Sequence, residues 1–255
     1  MSNIIDISTF KQTLKHLALV AMCFSSLSSI HAQSTSQLWL DVNPSYEQEN
    51  NLIYYGDLGY RVDFSKDNWN RFVVRPGVKK TFKHYYLTTG VGNFITLENS
   101  EDGQDIYELR PFQGIGTNWP NTQYFKLNHY VRFEEQMAWN TTENNFDFTF
   151  RVRYKFTFSY SYRTWLENHH NWWKTYLSFE LFGATSDASN SIGEQSRLSL
   201  GIERSFNRNQ KVRIETTWQK QQIFFKPSAP INAFYLRLRY YPNWGKGLKK
   251  KPTQK

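Results

Sequence analysis

The sequence predicts an all-β protein, a single antiparallel up-and-down transmembrane β-barrel of about 10–12 strands. Three observations carry that expectation. Large apolar residues recur at every second position over long stretches, the period that sends neighbouring side chains to opposite faces of a strand. No amphipathic stretch of helical period competes with them, and no apolar run reaches the ~18 residues of a membrane-crossing helix. The first thirty-two residues read as an export leader. With Phe 20, Tyr 16 and Trp 9 in 255 residues, the chain is far too aromatic to stay unfolded. Its one cysteine excludes a disulfide framework and a multi-cysteine metal site.

In the leader, Lys11 and Lys15 form the positive start, Leu17–Phe24 the short apolar core, and Ser25–Ala32 the small-residue stretch, with cleavage expected after Ala32. As an uncleaved anchor the apolar core is too short for ~30 Å of hydrocarbon. Cys23 makes a poor lipid-attachment site, because bulky Met22 precedes it. Removal leaves 223 residues of formal charge +8, since two lysines and Asp6 depart from a chain of +9. The mature chain holds no cysteine, which suits an oxidising periplasm. The expected division is a signal peptide over 1–32, a barrel over 33–244 and a basic disordered tail over 245–255.

Strands follow in order. A weaker one lies near Leu38–Tyr46. Leu52, Tyr54, Leu58, Tyr60, Val62 and Phe64 then alternate with Asp57, Arg61 and Asp63. Phe72, Val74 and Val78 alternate with Arg71, Arg75 and Lys79. Weaker strands cover Tyr85–Leu97 and Ile106–Gly114. Phe125 to Phe133 oppose Lys126, Asn128, Arg132 and Glu134. From Asn145 to Tyr160 every even position is large and apolar, while the odd ones read Asp, Thr, Arg, Arg, Lys, Thr, Ser. Leu177, Phe179 and Leu181 oppose Ser178 and Glu180; Leu198, Leu200 and Ile202 oppose Arg197 and Glu203. Val212, Ile214 and Trp218 oppose Arg213 and Glu215; Phe234, Leu236, Leu238 and Tyr240 oppose Arg237 and Arg239. Polar turn clusters separate these runs. Eleven strands result. A bacterial single-chain barrel normally has an even number, so one strand is expected to be wrong or missing, with 160–172 and 221–226 the places to look.

Alternation yields two faces but not their direction. A small soluble barrel is apolar inside, a membrane barrel apolar outside. The leader, the dense pairing of charges on the polar face, and aromatics near strand ends (Trp39, Tyr46, Trp69, Tyr85, Tyr86, Trp119, Trp139, Trp172, Trp173, Tyr241, Trp244) favour the membrane form, delivered by Sec-type export to the cell outer membrane of a Gram-negative bacterium. A secreted soluble ligand-binding barrel or sandwich is the alternative. Against the membrane form, the last strand is followed by a basic tail, Pro242–Lys255.

The run Glu108-Leu109-Arg110-Pro111-Phe112-Gln113-Gly114-Ile115, then Trp119-Pro120, then His129-Tyr130-Val131-Arg132-Phe133-Glu134-Glu135 resembles the uncharacterised bacterial envelope family numbered 2490 among domains of unknown function. Trp39-Leu40-Asp41-Val42-Asn43-Pro44 and Gly59-Tyr60-Arg61 fit it too. The resemblance implies an outer-membrane barrel and supplies no catalytic residues.

The candidate site is a charged cluster lining the lumen: Glu108, Arg110, Arg132, Glu134, Arg151, Arg153 and Lys155. Buried charges need partners, so the cluster reads first as a supporting ion-pair network. Its second reading is a constriction that favours small anionic solutes. No enzyme is expected, with an outer-membrane lipid-modifying enzyme as the alternative. Only His84, His129, His169 and His170 remain in the mature chain, none beside a serine, and no Gly-x-Ser-x-Gly occurs. No cofactor or metal is expected. The expected partners are outer-membrane lipid and small anions; nucleic acid is not among them, because basic residues alternate with acids rather than forming a stripe.

Overall fold

All regular structure among the described residues is strand. The computed structural model describes residues 34–64, 69–98, 105–122, 124–141, 144–162, 172–186, 192–207, 209–223 and 231–245. The expected leader over 1–32, the expected tail over 246–255 and His169-His170 lie outside them.

Fourteen strand segments occur among the described residues: β1 (Ser34–Val42), β2 (Ser45–Glu47), β3 (Leu52–Tyr55), β4 (Leu58–Asp63), β5 (Trp69–Val74), β6 (Gly77–Thr81), β7 (Tyr85–Glu98), β8 (Ile106–Asn121), β9 (Phe125–Asn140), β10 (Asn145–Tyr162), β11 (Trp172–Ser186), β12 (Ile192–Ser205), β13 (Gln210–Ile223) and β14 (Ile231–Trp244). The first six are three strands, each broken once, at Asn43-Pro44, Gly56-Asp57 and Arg75-Pro76. Proline has no N–H for the ladder, so it interrupts pairing at two of these points. The breaks lie side by side and are stitched by backbone bonds: Gly56 N donates to Pro44 O at 2.9 Å, and Asp57 and Arg75 exchange bonds at 3.1 and 2.9 Å. The wall therefore has eleven staves.

Those eleven close on themselves. The expectation that an even count required one more or one fewer strand is corrected. Of the stretches named for a missing strand, the described parts are only the ends of β10, β11 and β13. An up-and-down chain of odd count finishes running in the direction in which it began, so its last strand must meet its first in parallel. β14 does so with β1 from Ser34↔Asn232 to Val42↔Tyr240, and with β2 at Asn243↔Ser45. Every other seam is antiparallel, so the antiparallel expectation fails only at the closure. The barrel consequently starts at one mouth, where β1 and β14 both begin, and ends at the second, where β14 stops.

The two faces differ sharply. Phe150, Leu200 and Ile214 point outward, 40%, 43% and 53% exposed, whereas Asp63, Glu134 and Glu203 are 1–3% exposed inside. Cross-strand aromatics pair near both rims, as at Tyr107–Trp139 (5.7 Å between ring centroids) and Trp139–Phe146 (5.1 Å) near the first mouth, and Phe82–Tyr85 (4.7 Å) near the second. Three aromatics expected at the rims belong instead to the interior. Trp39 and Tyr86 are buried, and Tyr241 lines an internal cavity.

Inside, one ring of Tyr130 lies across Gly114, where an added Cβ would stand 2.5 Å from its hydroxyl. That hydroxyl is 2.7 Å from Thr88 Oγ1. Gly114→Ala displaces Tyr130 and is expected to lower stability by about 1–3 kcal/mol, measured as a shift in urea midpoint. An unchanged midpoint contradicts this packing.

Candidate functional site in the barrel interior

Inward-pointing charges meet across seams because register aligns them. Arg151 stands opposite Glu134, and Lys155 opposite Tyr130 and Glu180. All seven side chains named from the sequence lie inside, and the structure divides them into two groups. In the first, Arg110 Nε donates to Glu108 Oε1 at 2.6 Å and its guanidinium covers Phe94 at 4.1 Å. Glu134 accepts from Arg151 Nε at 2.7 Å and also pairs with Arg132. The Gln136 amide oxygen, oriented to satisfy its neighbours, accepts from Arg151 at 3.0 Å and Arg110 at 3.3 Å, which joins both pairs.

The second group centres on Glu180, a residue outside the cluster expected from sequence. Lys155 donates to it at 2.5 Å, Arg153 approaches at 3.7 Å, and Arg197 at 3.9 Å. Further ion pairs complete the interior. Arg237 pairs with Asp41 across the parallel closure, Arg75 with Asp57, Arg239 with Glu215 at 3.2 Å, and Arg213 with Glu203 at 2.7 Å. Each of these residues sits on the polar side of its strand in the sequence. What the sequence lacked was the register that pairs them, and the closure that brings β14 beside β1.

Aromatic rings fill the space between the ions. Trp39 stacks on Tyr235 (4.0 Å, 8°), with Arg61 at 3.8 Å and Arg237 at 5.1 Å over its ring. Phe182 carries Arg197 at 4.6 Å. A cavity of about 290 Å³ remains against the three strand breaks. It is lined by Arg75, Arg132, Arg153, Lys155, Arg197, Arg237 and Arg239 and by only three carboxylates, Asp57, Glu180 and Glu215. The lining thus carries a formal excess of four positive charges, of which those on Arg132 and Arg237 are paired with Glu134 and Asp41 just outside it.

His129 is on the outer face, its Nδ1 2.9 Å from the Tyr154 hydroxyl. Among the described residues no group of three His, Cys, Asp or Glu could hold a metal ion.

Fold and interior together define a closed eleven-stranded β-barrel with a charged inside and an apolar outer wall. The chain belongs to the family described as Protein of unknown function (DUF2490), whose model matches residues 36–232. No curated protein and no solved structure matches it.

Proposed function

We propose that the protein is an integral outer-membrane β-barrel of a Gram-negative bacterium, delivered by Sec-type export, with an interior filled by ion pairs and rings. It serves as a structural barrel or passes only small anions. The observation that carries this reading is the inverted burial: carboxylates such as Glu134 and Asp63 inside, a continuous belt of Phe, Leu and Ile outside. Water does not reward such a belt, whereas hydrocarbon does. Strand lengths of 14–18 residues from β7 to β14 exceed the ~9–11 that a tilted strand needs to cross. The aromatic pairs at both rims suit the two bilayer interfaces. With most of the described strand cations turned inward, the described outer wall offers nucleic acid no basic stripe, and we propose no catalytic step.

Detergent-dependent extraction from the outer-membrane fraction, with an electrophoretic mobility that changes on heating, tests the reading. Recovery in the soluble periplasm after osmotic shock overturns it in favour of a secreted soluble barrel.

Connections at the second mouth are mostly short, three or four residues in four of five cases, and those at the first run from four to seven. Short turns face the periplasm in such barrels. Asp105→Cys, at the first mouth, should therefore react with an impermeant maleimide on intact cells, while Asn209→Cys, at the second, should not. Equal labelling of both contradicts a spanning barrel.

In planar bilayers the occluded interior should give little steady conductance, and any small current should favour anions. A large cation-selective channel contradicts both the packing and the charge excess.

A further inference from the structure

We infer that the internal cavity is a binding site for one compact polyanion, bearing phosphoryl or clustered carboxylate groups. The inference deepens the anion-favouring reading of the interior and rests on it.

Three observations converge. First, acids in the lining are shared rather than matched. Glu180 serves Lys155, Arg153 and Arg197; Asp57 serves Arg75 and, at 3.9 Å, Arg237; Glu215 serves Arg239 and, at 3.9 Å, Arg213. Arg237 also has Asp41 and Arg213 has Glu203, but Arg153, Lys155 and Arg197 share Glu180, which leaves that group undercompensated, and a multivalent anion supplies the missing charge. Second, Nε of Arg132, Arg153 and Arg239 is buried and makes no hydrogen bond within the protein, and neither do the buried acceptors Glu180 Oε2 and Asn43 Oδ1 of the same lining, so three donors and two acceptors there are without hydrogen-bond partners. Guanidinium groups meet phosphate and carboxylate oxygens as two-pronged donors. Third, the cavity is built into the wall at three adjacent strand breaks. At these breaks three backbone segments leave the sheet ladder, and Asp57 and Arg75 enter the same lining as Glu180 and Arg197.

Size limits the ligand. About 290 Å³ corresponds to roughly ten water volumes, enough for a small solute and too little for a nucleotide-sized one. Access is from the second mouth, since Ser45 of β2 and Tyr241 and Asn243 of β14 belong to the lining.

Calorimetric titration of the detergent-folded full mature chain with sodium pyrophosphate, with citrate, and with spermidine as a cation control tests the site. Saturable one-site binding of either anion, with none of spermidine, is expected; the two anions separate phosphoryl from carboxylate preference. Arg153→Gln with Arg197→Gln should weaken binding at least about tenfold, since two charged donors are lost. Asn243→Asp, nearly isosteric and near the mouth, should weaken it several-fold and serves if the double variant does not fold. Absence of anion binding by a chain with heat-dependent mobility overturns the site but leaves the membrane barrel intact. Binding by a chain that never enters a bilayer overturns the membrane reading alone. Binding unaffected by either variant overturns the site.

Discussion

Glu134→Gln should cost about 3–5 kcal/mol of folding stability, the scale for removing one member of a buried ion pair. Glu134 is 3% exposed and is the carboxylate shared by Arg132 and Arg151. Neutral glutamine leaves those two guanidinium groups facing one another with Arg153 and Arg110 nearby in the same interior. The cost arises from the uncompensated charges rather than from a lost attraction. Arg132→Met, Glu134→Leu and Arg151→Met combined should therefore recover much of the stability, because an apolar triad has no charge to desolvate. Urea-unfolding midpoints of the single and triple variants decide this. A triple variant no more stable than Glu134→Gln would show that the rings and ions depend on each other in some other way.

Phe150→Arg should cost about 2–4 kcal/mol in a bilayer, the depth-dependent penalty for arginine on a lipid-facing wall. Phe150 is outward and stacks on Phe133 at 6.3 Å between centroids. Arg151→Gln, one residue away, should be milder than Phe150→Arg, since Glu134 keeps Arg132 as its partner. The comparison reads the folded fraction after refolding into lipid vesicles. Equal losses would mean that the outer wall does not meet lipid.

Much of this was legible in the alternation. Positions 145–160 assign Arg151 and Arg153 to one face and Phe150 and Phe156 to the other, and the structure keeps that split because a strand's side-chain period of two leaves no freedom. The eleven strands were also all visible. Their number looked wrong only because closure cannot be read from one strand at a time, and an odd count needs the parallel seam between β1 and β14. Register was hidden for a related reason. Glu180, Arg197 and Arg237 each read as polar-face residues, and Asp41 lies in the weakly alternating first strand, but nothing local states which meets which. Pro44, Gly56 and Pro76 fell within strands or beside them in the alternating pattern, so the three aligned breaks that frame the cavity went unseen. Trp39 reads as a rim residue because it stands near a strand end with other aromatics, whereas its stacking on Tyr235 and the guanidinium groups over its ring hold it buried inside.

The apolar outer wall should face lipid while the charges face inward. Residues 33–255 hold no cysteine, so in protein of that span reconstituted into vesicles nitroxides can be attached singly at Leu200→Cys, on the wall, and Lys174→Cys, inside. Collision rates with oxygen and with a water-soluble nickel complex then report each side chain's surroundings. The account predicts oxygen-rich, nickel-poor collisions at position 200 and the reverse balance at 174. Nickel access at position 200 equal to that at 174 would contradict it.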